Sequence, residues 1–226
     1  MRIDTENIEV VAIDLINTIV DRGELLFVDR LAGVLGASLG QRQVISDAYR
    51  KRYLEYSMGN YGDDAEFYSA VFASIGFRDP ELPVGLLRQW RLECSAERPG
   101  ATQLLKSLAE RYRVIIATNF VKEWADLLTK AYGWEEHIAG MLVSSECGFR
   151  KPARSFFREL LLLSGVRDPW HVVMIGDSLV NDIFGASAYG MQALLLGKGD
   201  VRGGLCPGVG RADGFDEVLR LLTPLR

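Results

Sequence analysis

The sequence predicts an α/β fold, a doubly wound parallel sheet with an all-helical segment inserted near its start. Three observations predict it. Apolar runs of about five residues, mostly β-branched or Leu, recur at residues 10–14, 113–118, 171–176 and 192–196, as strands buried on both faces require. After residue 96 these runs alternate with amphipathic helical patterns, which points to βαβ units. Between residues 24 and 97 the patterns are helical and no convincing strand occurs.

Taken in order, residues 10–14 form the first strand. In the insert, Val44, Ile45, Ala48, Tyr49, Tyr53 and Tyr56 lie at helical spacing. Its tyrosines, Tyr61 and Tyr68 included, are expected to pack a small module, and Arg50, Lys51 and Arg52 to form a solvated helix face. Pro99 then precedes a helix whose apolar positions Ala101, Leu104, Leu105, Leu108, Ala109 and Tyr112 share one face. Residues 113–118 are the second strand. Val121, Trp124, Ala125, Leu128, Ala131 and Tyr132 mark the next helix, which ends near Gly133. Residues 141–144 are a weaker strand candidate, and a helix starting at Pro152 carries Phe156, Phe157, Leu160, Leu161 and Leu163. The strands at 171–176 and 192–196 follow. Residues 197–214 hold seven glycines and predict a long loop before a last helix at 215–222. The chain thus divides into a Rossmann-like sheet domain, residues 1–23 and 98–226, and a helical domain, residues 24–97.

Composition narrows the function. The 226 residues are 48% hydrophobic and 25% charged, as in soluble globular proteins. Lys and Arg number 26 against 30 Asp and Glu, a net charge of −4, so no overall positive field attracts nucleic acid. No run approaches the roughly 20 apolar residues of a membrane span, and the start MRIDTENIE is not a secretory signal. A cytoplasmic protein without membrane or nucleic-acid partners is expected. Cys94, Cys147 and Cys206 form no C-x-x-C pair and are expected to be reduced, Cys147 and Cys206 being inert. With only His137 and His171, neither a His-rich zinc site nor a His-based triad has the material it needs. Gly197-Lys198-Gly199-Asp200 does not match the G-x-x-x-x-G-K-[ST] phosphate loop.

Ligands of open α/β sheets bind at the carboxyl ends of the strands. The residues just past the predicted strands are Asp14, Asn17 and Thr18, then Thr118 and Asn119, then Lys151 before Pro152, and then Gly176, Asp177, Asn181 and Asp182. Acidic, hydroxyl and cationic groups converge on one rim.

This ordered set resembles the haloacid dehalogenase superfamily of hydrolases. Ile13-Asp14-Leu15-Ile16-Asn17-Thr18-Ile19 matches its first motif, Thr118 its second, Lys151-Pro152 its third, and Gly176-Asp177 with Asn181-Asp182 its fourth. Arg98-Pro99-Gly100, Gly185-Ala186 and Tyr189-Gly190-Met191 extend the match, and residues 24–97 stand where such enzymes insert a helical cap. The resemblance implies Asp14 as a nucleophile that forms an aspartyl-phosphate. It implies Mg²⁺ held by Asp14, Asp177, Asp182 and the backbone carbonyl of Ile16. Thr118 would donate to the phosphoryl group, Lys151 would supply fixed positive charge, and Thr18 and Asn119 would border the substrate, Thr18 more as a brace of the Asp14 loop. The substrate would be a small phosphorylated metabolite.

One position departs from the family pattern. Its phosphatases carry an acid two residues after the nucleophile, where this chain has Ile16. An isoleucine transfers no proton, and general acid–base catalysis is worth roughly 10²- to 10⁴-fold, or about 3–5 kcal/mol of barrier. Asp21 is a candidate replacement. The alternatives are a catalytically silent binding or regulatory relative, a phosphonate-cleaving enzyme using Lys51 and, less favoured because Asp177 and Asp182 are both kept, a dehalogenase.

Overall fold

The computed structural model describes residues 3–77, 82–197 and 207–223. Cys206 and the 198–200 part of the glycine–lysine run lie outside them.

Six parallel strands form the predicted sheet: β1 (Val10–Ile13), β4 (Arg113–Thr118), β5 (Gly140–Val143), β6 (Val172–Gly176), β7 (Gln192–Leu196) and β8 (Val209–Ala212). Their spatial order is β5-β4-β1-β6-β7-β8. The chain builds outward from β1 on one side and then returns to build on the other. A crevice therefore opens at the carboxyl ends of β1, β4 and β6, the switch point where ligands of doubly wound sheets bind. Register brings the rim residues level, since Ile13 pairs with both Ile116 and Ile175.

Period-2 alternation explains why both faces are covered. Val11, Ile13, Val114, Ile116, Val173 and Ile175 enter one core cluster, while Val10, Ala12, Ile115, Ala117, Val172 and Met174 enter the other. Helices α5 (Ala101–Ala109), α6 (Lys122–Ala131) and α10 (Phe215–Leu222) cover the first face with Leu104, Leu105, Leu108, Leu128, Val218 and Leu222. On the second, α8 (Arg154–Ser164) packs Phe156, Phe157 and Leu160, and Ala186 of α9 (Gly185–Tyr189) joins them. A four-residue helix, α7 (Ser144–Cys147), follows β5.

The insert contributes α1 (Glu24–Val34), α2 (Leu39–Tyr56), α3 (Asp64–Ser74) and α4 (Val84–Glu93). Tyr49, Tyr53, Tyr56 and Tyr68 are buried, as expected of packing residues. Trp124, from α6 of the sheet unit, enters this aromatic cluster: it stacks on Tyr53 at 5.9 Å, and its Nε1–H donates to the buried Asp64 carboxylate at 2.7 Å. Arg91 is also buried here, its guanidinium 4.0 Å from the Trp124 ring centre and 4.2 Å from that of Phe27.

Two expectations are corrected. The insert is not purely helical: β3 (Ser95–Glu97) lies within 24–97 and pairs antiparallel with β2 (Val20–Arg22), Val20 opposite Glu97. Strands of three residues are too short to display a period. Nor is 197–214 a loop throughout, because β8 lies inside it, paired in parallel with β7 from Ala193↔Val209 to Leu196↔Ala212. Gly208 and Gly210 masked this short edge strand. The helix expected from Pro152 begins at Arg154.

Candidate active site

The predicted rim residues come from the ends of β1, β4 and β6 and, for Lys151, from the loop after α7. Asp14 follows β1, and its N–H donates to the Ile175 carbonyl at 2.8 Å, which ties the loop to β6. The next residues make a tight loop in which Asn17 takes a left-handed φ of 63°, a conformation Asn tolerates better than most residues. Arg98 holds this loop from outside, its Nη1 donating to the carbonyls of Asn17 and Thr18 at 3.0 and 3.2 Å.

At the centre is Lys151, 4% exposed. Its ammonium donates to Asp14 Oδ1 at 2.7 Å, Asp182 Oδ1 at 2.6 Å and the Ala117 carbonyl at 2.7 Å. All three of its N–H donors are used. Burial works against this charge, but Asp14 and Asp182 outweigh it and hold the Lys151 pKa above its ordinary value. Burial likewise pushes Asp182 up to about 6, against the pull of Lys151. Asp177 is raised by partial desolvation in the cleft and by the charge of Asp14.

A turn of π-helix at Leu179–Phe184 brings Asp182 back over the end of β6. Its Oδ2 accepts from the Ser178 N–H at 3.0 Å. Gly176 is required here, because a Cβ at that position would lie 2.3 Å from Asp182 Cγ.

The carboxylates of Asp14, Asp177 and Asp182 each offer an oxygen within 4.8 Å of the others. Asp14 Oδ2 and Asp177 Oδ1 share the Thr18 hydroxyl, at 3.2 and 3.3 Å. One hydroxyl proton cannot serve both, so lone pairs remain for a cation. This all-oxygen donor set fits a hard divalent ion such as Mg²⁺. Asp182 is held by the Lys151 ammonium and the Ser178 N–H, whereas Asp14 and Asp177 meet across the one shared Thr18 hydroxyl, so Asp14 and Asp177 are the better placed pair.

These groups line a cleft of about 270 Å³, together with Ile16, Asn17, Thr118, Asn119, Arg150, Ser178 and Asn181. Thr18 is fully buried and stands behind Asp14 as a brace, not as a wall of the cleft. Asn119 faces the cleft, yet its amide is spent on the Lys151 backbone. Asp21 lies outside, its carboxylate 65% exposed and 3.5 Å from Arg98 Nε. Lys51 is on an exposed face of α2 and is not among the cleft residues. Motif reading missed two cleft residues, Ser178 and Arg150; the signal for Arg150 was a second cation directly before Lys151. Among the described residues no helix is long and apolar enough to cross a membrane.

The chain is similar to proteins of known sequence and structure. It is 26% identical to the glyceraldehyde 3-phosphate phosphatase of Pyrococcus furiosus over 196 residues, 83% of this chain and 80% of that one. The magnesium-bound structure of the HAD-hydrolase YfnB of Bacillus subtilis superposes with a TM-score of 0.67 at 19% identity, covering 96% of this chain and 99% of that one. The L-2-haloacid dehalogenase of Xanthobacter autotrophicus shares the fold at a TM-score of 0.68 and 16% identity, over 97% and 100% of the two chains. The family model for haloacid dehalogenase-like hydrolases matches residues 8–190, from the strand before Asp14 to the helix after Asp182. The chain therefore belongs to the haloacid dehalogenase-like hydrolases.

Proposed function

We propose that this hydrolase is a Mg²⁺-dependent phosphohydrolase acting on a small phosphorylated compound through Asp14. The observation that carries the reading is the buried Lys151 ammonium on Asp14, beside Asp177 and Thr118 at one strand-end rim. The phosphatase name of the Pyrococcus relative and the magnesium bound by YfnB support it. Residues 24–97 act as the cap of this site, over the sheet domain of residues 1–23 and 98–226.

Asp14, Asp177 and the Ile16 carbonyl would hold the cation, with Asp182 supporting it from behind through Lys151. When bound, Mg²⁺ supplies positive charge that offsets the phosphoryl oxygens. An Asp14 carboxylate oxygen attacks phosphorus, and the ester P–O bond breaks as the leaving oxygen departs with its electron pair. The Thr118 hydroxyl donates to a phosphoryl oxygen, and Lys151 supplies positive charge beside the anionic group. Water then attacks the aspartyl-phosphate, the bond from Asp14 to phosphorus breaks, and phosphate leaves with the water's oxygen.

Ile16 lines the cleft where the family's proton donor would stand. Leaving-group protonation falls to substrate or solvent, and turnover of alkyl esters is slow. The same residue favours a second reading, a relative that binds phosphorylated ligands with little turnover. Phosphate release from a phosphomonoester panel, with and without Mg²⁺, tests the first. Turnover that persists in Asp14→Asn removes the proposed mechanism.

A further inference from the structure

The described cleft residues include two cations, Lys151 and Arg150. The first is spent, with its three donors on Asp14, Asp182 and the Ala117 carbonyl. Arg150 is not. Its Nη1 donates to the Ser57 hydroxyl of the insert, and among the described residues no carboxylate pairs with it. A guanidinium offers five N–H donors in a planar fork matched to carboxylate and phosphate, so a neutral hydroxyl leaves most of its capacity unused.

The surroundings keep this charge uncompensated. The half-buried Arg150 feels the positive charge of Arg22, whose guanidinium lies 4.3 Å from the centre of the Tyr53 ring. Tyr53 in turn donates to the Asn119 carbonyl at 3.3 Å, beside the cleft. Of the cleft's carboxylates, Asp14 and Asp182 are paired with Lys151, and Asp177 lies beside Asp14 at the Thr18 hydroxyl.

Position is fixed as well. Asn119 grips the backbone of Lys151 at both its N–H and its carbonyl, and Arg150 is the preceding residue. The Ser57 contact reaches across to the insert, whose Ser57 carbonyl also accepts from Ser144 Oγ at 2.6 Å. Arg150 thus stands at the seam between cap and sheet, where the part of a substrate beyond its phosphoryl group must lie. A cleft of about 270 Å³ holds a compact ligand.

We propose that Arg150 is a specificity residue, and that the substrate carries a second anionic group, a carboxylate or a second phosphate, a short carbon chain away from the phosphoryl group it gives up. The proposal rests on the phosphohydrolase reading for the reacting end of the substrate, while the anion contact at Arg150 is a matter of binding alone.

Three matched esters test it: propyl phosphate, 3-(phosphonooxy)propanoate and propane-1,3-diol bisphosphate. With Mg²⁺, the KM of at least one charged ester is expected to be ten times or more below that of propyl phosphate, and whichever is preferred identifies the second group. A charged hydrogen-bond pair of this kind is worth roughly ten- to hundredfold in affinity. Arg150→Gln is expected to collapse the charged-to-neutral preference toward one, and Arg150→Lys to retain part of it. Absence of a preference in the wild type, or a preference unchanged in Arg150→Gln, overturns the proposal. If Arg150→Gln does not fold, as judged by its melting curve, the wild-type ratio and Arg150→Lys decide.

Calorimetric titration of the same esters into Mg²⁺-loaded Asp14→Asn needs no turnover. Charge-selective binding there without wild-type hydrolysis sinks the phosphohydrolase reading and keeps the Arg150 assignment. Hydrolysis with charge-blind binding does the reverse.

Discussion

Asn119 holds Lys151 by its backbone alone: its Nδ2 donates to the Lys151 carbonyl at 2.9 Å, and its Oδ1 accepts from the Lys151 N–H at 2.8 Å. One amide thereby locks the end of β4 to the loop before α8, and the ammonium sits on Asp14 because that loop cannot slide. Asn119→Ala removes both bonds. A stability loss of about 1–3 kcal/mol is expected in urea titration. A kcat loss of about tenfold or more should accompany it, from misplacement of the ammonium. Full activity in this variant would show that Lys151 is positioned by other contacts.

Lys151→Met leaves two buried carboxylates facing each other without their cation. Breaking a buried ion pair costs about 3–5 kcal/mol, so the variant is expected to be strongly destabilised at neutral pH. The pH dependence has a definite sign. Burial already raises Asp182 to about 6, and without Lys151 it rises further. A carboxylate whose folded-state pKa exceeds its unfolded value binds protons more tightly when folded, so stability falls as pH rises through that window. The deficit relative to wild type should be larger at pH 8 than at pH 5, and a deficit that is the same at both contradicts the pairing.

Ile16→Asp restores a proton donor at the edge of the cleft. Alkyl phosphate turnover should rise by roughly 10²- to 10⁴-fold, while an aryl phosphate, whose leaving group needs no proton, should gain far less. In the wild type the same asymmetry appears as a steep preference for good leaving groups. If the variant folds, binds Mg²⁺ and is no faster on alkyl esters, protonation was not the limiting defect.

Mg²⁺ should stabilise the protein. At 100 times its Kd a ligand of the folded state contributes about 2.7 kcal/mol, an upward shift of roughly 5–10 °C in Tm for a chain of this size. Asp177→Asn should abolish most of that shift, because Asp177 and Asp14 are the carboxylates with lone pairs to spare. Ca²⁺-like oxygen ligands elsewhere would show up as a shift retained in the variant, which a melting curve distinguishes directly.

What was legible in the chain followed from burial. Strands β1, β4, β6 and β7 are covered on both faces and so appear as apolar runs, and α5, α6, α8 and α10 bury one stripe each. Strands β2, β3 and β8 were not legible, since three or four residues with one side exposed carry no period. At the site, Asp14, Thr118, Lys151, Asp177 and Asp182 were visible as strand-end residues and do meet. The roles of Thr18 and Asn119 depend on which atoms they reach, 159 and 32 residues away in the chain, and no local pattern encodes that. Asp21 looked equally suited to proton transfer in sequence, yet the β2–β3 pairing turns it to Arg98 and away from the cleft.

The intrusion of Trp124 into the insert limits how this protein can diversify. Its indole is anchored in α6, while its hydrogen bond to Asp64, its stack on Tyr53 and the overlying Arg91 all belong to the insert. The insert and the sheet thus share one apolar core. A substitution in α2 or α3 that disturbs the indole's surroundings is therefore expected to alter the stability of the sheet as well as of the insert.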